Sequence, residues 1–168
     1  RGSPALAERI KKGTLMLDIR EVLMEENVNL ELEARTKEEV FTQMTRMLYE
    51  NGAIREEQPF IDELVHREAE GVTGIGEGIA IPHGRSAVVN RSVIAIGRTR
   101  ADVSWETFDD KPVRCIIMFA IRDVDMSQHI MLLSHVAQLL LDKDVIDTLH
   151  HAHTVEEIVT VLRKEESE

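Results

Sequence analysis

"VRCIIMFAI", residues 113–121, is apolar at every position but Arg114. A strand with one wet face alternates apolar and polar residues, so a run this continuous predicts a central strand covered on both faces. "DDKP" (109–112) just before it reads as a turn. Upstream, "SVIAIGRTR" (92–100) reads as a second strand, and "ENVNLEL" (26–32) alternates at Val28, Leu30 and Leu32 as a half-exposed strand does.

Helical patterns separate these strands. In "TKEEVFTQMTRMLYENG" (36–52), Thr36 and Glu39 have the spacing of a capping box, Val40, Met44, Met47 and Leu48 share a face, and Gly52 suits the stop. In "QPFIDELVHREAEG" (58–71), Pro59 suits the first turn, Phe60, Ile61, Leu64 and Val65 form the apolar face, and Gly71 ends the helix. "SQHIMLLSHVAQLLLD" (127–142) is a strongly apolar helix with Ile130, Leu133, Val136, Ala137 and Leu140 near one face. A capping box, Thr154 to Glu157, opens a last helix carrying Ile158, Val161 and Leu162. Mixed segments of this kind predict an α/β (α+β) single domain, one sheet with helices packed on it. No internal repeat is present.

At 168 residues the chain fits one domain with a sizeable core. Hydrophobic residues at 43% and charged residues at 30% place it among folded rather than disordered chains. A net charge of −11 without a basic stripe argues against nucleic acid or an anionic membrane surface as partner and favours partners with basic patches. No apolar run approaches the roughly 20 residues of a spanning helix, so no direct membrane insertion is expected. "RGSPALAERIKKGT" has no apolar core of a signal peptide. Residues 1–14 are read as a tail, with Arg1, Gly2 and Ser3 kept out of the fold argument, and residues 165–168 as a second tail. The single cysteine, Cys115, excludes an internal disulfide, reads as a small buried hydrophobe, and is compatible with a reducing, cytoplasmic setting.

Seven histidines are candidates for chemistry. His66 is read as facing solvent or a neighbouring turn. His135, in the apolar helix, is read as a satisfied packing residue. His150, His151 and His153 cluster before a helix cap, but no carboxylate or cysteine falls at a recognised ligand spacing. His83 stands apart in "GIAIPHGRS" (78–86). Pro82 suits a strand end, and Gly84 leaves room for a bulky group or a partner's backbone. Gly74, Gly76 and Gly78 could aim amide N–H groups at an anion, though their spacing is not that of a dinucleotide site.

"HREAEGVTGIGEGIAIPHG" (66–84), followed by "QHIMLLSHVAQLL" (128–140), resembles the enzyme IIA domain of the bacterial sugar phosphotransferase system, fructose/mannitol type. The resemblance runs from about residue 15 to residue 164 and includes "TKEEV", "DDKPV" and "TVEEIVTVL". Val72 stands where a serine is common, and Ile130 where leucine is usual.

The resemblance implies a mixed β-sheet with helices on both faces, and phosphoryl transfer without metal or organic cofactor. In that scheme His83 takes a phosphoryl group from a histidine-containing phosphocarrier protein and hands it to a IIB domain serving a membrane permease. Arg67 would pair with the phosphoryl oxygens, His129 would stabilise the group by a hydrogen bond, and Thr73 could bond an oxygen or the His83 ring, a turn-stabilising bond being the equal alternative. A nitrogen-related regulatory IIA protein, whose His83 phosphorylation controls binding to a transporter or kinase, is the second expectation. A metal-dependent hydrolase is disfavoured, because no ligand set is present.

Overall fold

The strand read first is the middle of the sheet. The computed structural model describes residues 18–163; the tails expected at 1–14 and 165–168 lie outside them. The described elements are α1 (Ile19–Val22), β1 (Leu23–Leu32), α2 (Lys37–Glu50), α3 (Glu57–Glu70), β2 (Gly74–Gly76), β3 (Ile79–Ala80), β4 (His83–Ser86), β5 (Val93–Val103), β6 (Val113–Arg122), α4 (Met126–Leu139), α5 (Lys143–His151) and α6 (Val155–Leu162). A 3₁₀ turn, Asp123–Asp125, joins β6 to α4.

The six strands form one mixed sheet in the order β1-β5-β6-β3-β2, with β4 also on β6. β6 runs antiparallel to β5 and parallel to β3 and β4 on its other side. Its side chains alternate between two cores. Cys115, Ile117, Phe119 and Ile121 pack with α4, α5 and α6, while Ile116, Met118 and Ala120 pack with α2 and α3. Each such large side chain contributes roughly 1.5–3 kcal/mol by burial, so the continuous apolar pattern is what double coverage requires. β1 is longer than its alternating segment. It begins at Leu23 and bulges, since Leu23 pairs with Ile94 and Val28 already with Ile96. The polar stretch Glu25–Asn27 hides that extension.

The caps follow the sequence with one adjustment. Thr154 and Glu157 form the full reciprocal box. Thr36 accepts from Glu39 N, but the Glu39 carboxylate reaches Arg35 N rather than Thr36 N. Gly52 follows α2 at φ +79°, a conformation that a side chain would strain.

Two helix faces differ from expectation. On α3, Phe60 and Leu64 are buried but Val65 is 51% exposed, and the inward stripe continues instead to half-buried Arg67 and Glu68. On α4 the buried stripe is His129, Leu132, Val136 and Leu139; Ile130 is 66% exposed and Ala137 faces solvent. α4 is apolar on nearly every side, so its periodicity leaves the phase undetermined. His135 is also not the satisfied residue expected, because its buried Nε2 has no hydrogen-bond partner among the described residues. Cys115 is buried as expected, and burial pushes its thiol up to about 12.

Candidate functional site

Pro82 does not end a strand. β3 and β4 share one unbroken register on β6, Ile79 opposite Cys115 and His83 opposite Phe119. Pro82 has no N–H to donate to the ladder, so the strand is interrupted at Ile81–Pro82 and resumes at His83. The Pro82 carbonyl still accepts from Phe119 N at 3.0 Å. The imidazole therefore opens a strand held rigidly by its neighbour. The room at Gly84 is taken by the chain itself, since a Cβ there would lie 2.9 Å from Phe60 Cε1 of α3. That close approach seats α3 on β4 and brings its last turn over His83.

The ring of His83 is held at both nitrogens. Its Nδ1 lies 3.1 Å from the Ile81 carbonyl, and Arg67 Nε donates to its Nε2 at 3.0 Å. These two bonds select one tautomer, with the proton on Nδ1 donated to Ile81 and the lone pair on Nε2. Arg67 is itself fixed by an Nη1 bond to the Gly71 carbonyl at 3.1 Å. Burial, then the Arg67 charge, lowers the His83 pKa from the ordinary histidine value of 6.5, against an upward pull from the Ile81 bond. The imidazole is thus kept neutral.

His129 arrives because the chain leaves β6 through the 3₁₀ turn and doubles back as α4. The Asp125 carboxylate accepts from Ser92 Oγ and from Arg122, tying the start of α4 to the sheet. The His129 ring packs on Phe119 and lies edge-on to His83, with centroids 4.9 Å apart. It is 9% exposed, and its Nε2 is buried without a partner among the described residues. Burial first, then the charges of His83, Arg85 and Arg67, lowers its pKa to about 4. Both imidazoles are therefore neutral at pH 7, one presenting a lone pair and the other an unused buried nitrogen. Such a pair can attack an electrophile and donate to its oxygens.

Thr73 lies apart from this pair. Its hydroxyl donates to Glu68 Oε1 at 2.6 Å and accepts from Trp105 Nε1 at 3.3 Å. Lys37 Nζ bonds the other Glu68 oxygen at 3.2 Å. Thr73 thus takes the turn-stabilising arrangement, pinning the segment after α3 whose Gly71 carbonyl anchors Arg67.

The glycine segment aims elsewhere too. Gly76, Glu77 and Gly78 all have positive φ, and the anion that Glu77 N finds is the Asp109 carboxylate, at 3.0 Å. That bond is the main reason Asp109 titrates below its ordinary value. His150 covers the same turn, with its Nε2 2.6 Å from the Glu77 carbonyl. His151 pairs with Asp147 at 3.7 Å, so the histidine cluster is divided between a loop and an exposed helix turn.

His83 and His129 border a cavity of about 380 Å³, with Arg67, Glu63, His66 and Glu70 from α3 and Arg85 from β4. His66 faces outward as expected, 3.4 Å from Glu70. Arg85 was hidden by the strand-end reading: once His83 is in a strand, the residue two positions on shares its face. Larger cavities lie elsewhere. One of about 950 Å³ is bordered by Thr148, Thr154, Glu157 and Arg163 and has no histidine. Another of about 610 Å³ is bordered by Arg98, Arg100 and Arg114. Their guanidinium groups are already engaged, by the Leu149, Ala152, Thr99 and Arg100 carbonyls and by Glu31. That second cavity also borders His153, but it is in the smallest of the three that two imidazole rings meet beside an arginine, so chemistry rather than size singles it out.

The class is an α/β domain, a mixed sheet covered by helices, with a neutral imidazole held against an arginine, and comparison with known proteins narrows it. The family profile "Phosphoenolpyruvate-dependent sugar phosphotransferase system, EIIA 2" matches residues 21–165, and the chain belongs to this family. It is 30% identical over 148 residues to the fructose-specific EIIABC component of Bacillus subtilis, covering 88% of this chain but 23% of that protein. Its fold is similar to the nitrogen regulatory protein IIA-Ntr of Neisseria meningitidis, with TM-score 0.78, 30% identity, and coverage of 86% of this chain and 98% of that one. It is also similar to enzyme IIA-Mtl of Escherichia coli, solved in complex with phosphorylated enzyme IIB-Mtl. There the TM-score is 0.68, with 27% identity and coverage of 82% and 94%. Among the described residues no helix is long and apolar enough to cross a membrane.

Proposed function

We propose that His83 is a phosphoryl carrier in the cytoplasm. It accepts the group from a histidine-containing phosphocarrier protein and passes it to a IIB domain of a fructose/mannitol-class sugar permease. The observation that carries this reading is the Nε2 of His83, deprotonated by its tautomer and facing Arg67 Nε at 3.0 Å.

In the transfer, the Nε2 lone pair forms the new N–P bond while the donor's P–N bond breaks. The proton stays on Nδ1, donated to the Ile81 carbonyl. Arg67 moves its N–H from Nε2 to a phosphoryl oxygen, a charge-assisted bond suited to the planar guanidinium. His129 donates its buried N–H to another oxygen, which gives that nitrogen the partner it lacks at rest. Positioning and charge neutralisation supply the catalysis, so no metal or organic cofactor is required of this chain. The IIB assignment is supported by the Escherichia coli neighbour, solved with its phosphorylated IIB partner.

A regulatory role, in which phospho-His83 controls binding to a transporter or kinase, is supported by the likeness to the nitrogen regulatory protein of Neisseria meningitidis. The two readings share the carrier histidine and differ in who receives or senses the group.

Incubation with a phosphocarrier, its donor enzyme and phosphoenolpyruvate should give one adduct, acid-labile and alkali-stable, that maps to His83. The His83→Ala protein should take no label; labelling of that variant at the wild-type level overturns the assignment. Discharge of the label to a IIB protein within a catalytic turnover time supports sugar transport, and its retention with tighter binding to a regulatory target supports the second reading.

A further inference from the structure

We propose that Arg85 is a second phosphoryl-pairing residue, which swings onto the group once it is on His83. The inference rests on the carrier reading and adds a residue to it. Arg85 lies two positions after His83 in β4, so both side chains leave the same face of the strand and border the same cavity. Its side chain is exposed and makes no hydrogen bond or ion pair among the described residues. The arginines around the 610 Å³ cavity are committed to carbonyls or carboxylates. Arg85 is free to move.

Charge gives it a task. A phosphoryl group brings roughly −1.5 to −2 charge. Of the groups facing it, α3 supplies one permanent cation, Arg67, together with Glu63, Glu70 and the exposed His66. α4 supplies His129, which is neutral at pH 7 because its pKa lies at about 4. Arg67 alone cannot balance a dianion flanked by two carboxylates. Arg85 is the remaining cation at the cavity, and its field already reaches the neighbouring ring, where it helps lower the His129 pKa. The two guanidinium groups come from different elements, so together they can hold two phosphoryl oxygens while the third faces His129.

The test needs no partner protein. Phosphoramidate can load His83 directly: the Nε2–P bond forms, the P–N bond of the reagent breaks, and the protonated amine leaves as ammonia. ³¹P NMR then follows the second ionisation of the phosphoryl group. A nearby cation favours the dianion and lowers that pKa, so Arg85→Gln should raise it by roughly half a unit to one unit, allowing for the exposed position. Arg85→Lys should restore most of the shift. Arg100→Gln, which removes the same charge beside Glu31 at the other cavity, should leave it unchanged. Single-turnover loading should slow about three- to tenfold in Arg85→Gln, most strongly at low salt.

An Arg85→Gln adduct with the wild-type ³¹P titration overturns the proposal, even if partner-dependent transfer slows, because that pattern is docking alone. An equal shift in Arg100→Gln also overturns it, since net charge would then explain the result. Absence of any phosphohistidine signal in the wild-type protein would instead count against the carrier reading itself.

Discussion

At the scale of the residue, His83 is defined by what touches each ring nitrogen. The Ile81 carbonyl sets the tautomer, and Arg67 stands where the proposed phosphoryl group would sit. Three of the four residues expected at the site, His83, Arg67 and His129, do meet. His129 was legible only through the resemblance, because nothing in its local sequence separates it from a helix-start residue. Its burial comes from the phase of α4, which an all-round apolar helix does not declare. Thr73 shows the opposite limit: its hydroxyl is spoken for by Glu68, a partner five residues away that a turn brings close. The role of His129 can be tested by chemistry. If its buried N–H bonds the phosphoryl group, His129→Ala should slow single-turnover transfer in both directions by roughly ten- to a hundredfold, the equivalent of a charge-assisted bond of about 1.5–3 kcal/mol. His129→Gln, which keeps an N–H donor, should lose less. The adduct should remain on His83 in both variants. Wild-type rates for His129→Ala, with folding intact, would leave the ring a packing role only.

At the scale of the element, the site is assembled by a broken strand and the helix laid over it. The proline that interrupts β3 and β4 was visible in the sequence, but its meaning was not. A chain stop and a strand that resumes in register look alike until the neighbour β6 is known. The same holds for Gly84. Its value is the contact with Phe60, and contacts between residues 24 apart have no local signature. Gly84→Ala places a methyl 2.9 Å from a ring that is fully buried and cannot swing away. Overpacking of this kind costs about 1–3 kcal/mol. The change should lower unfolding stability by that amount in chemical denaturation. It should also slow loading of His83, because α3 must lift and carry Arg67 with it. In a Phe60→Leu background the additional penalty should shrink, since the clash is between those two side chains. Equal penalties in both backgrounds would place the strain elsewhere.

At the scale of the whole molecule, the sheet separates two cores, and the site occupies the seam where both can hold it. Arg67 comes from the α2–α3 side, His129 from the α4–α6 side, and His83 from the sheet between them. The central strand was legible because its double burial writes a continuous apolar run. The pairing of its edges was not, since strand order depends on non-local contacts. This arrangement couples the charge state of the site to global stability. Burial lowers the pKa of both His83 and His129, the latter to about 4, whereas in the unfolded chain both return to the ordinary value of 6.5. Between those values the unfolded state binds more protons than the folded one, so stability falls as pH falls through that window. At neutral pH and above neither state is protonated and the term vanishes. For His129 a displacement of this size corresponds to about 3 kcal/mol lost between roughly pH 6.5 and pH 4. Denaturation curves across that range should therefore show an acid limb beginning near pH 6.5, above the range in which carboxylates titrate. His129→Gln cannot take up the proton and should flatten that limb, keeping the part owed to His83. An unchanged acid limb in His129→Gln would mean that the ring takes up its proton as readily in the folded chain as in the unfolded one, so that burial does not hold it neutral.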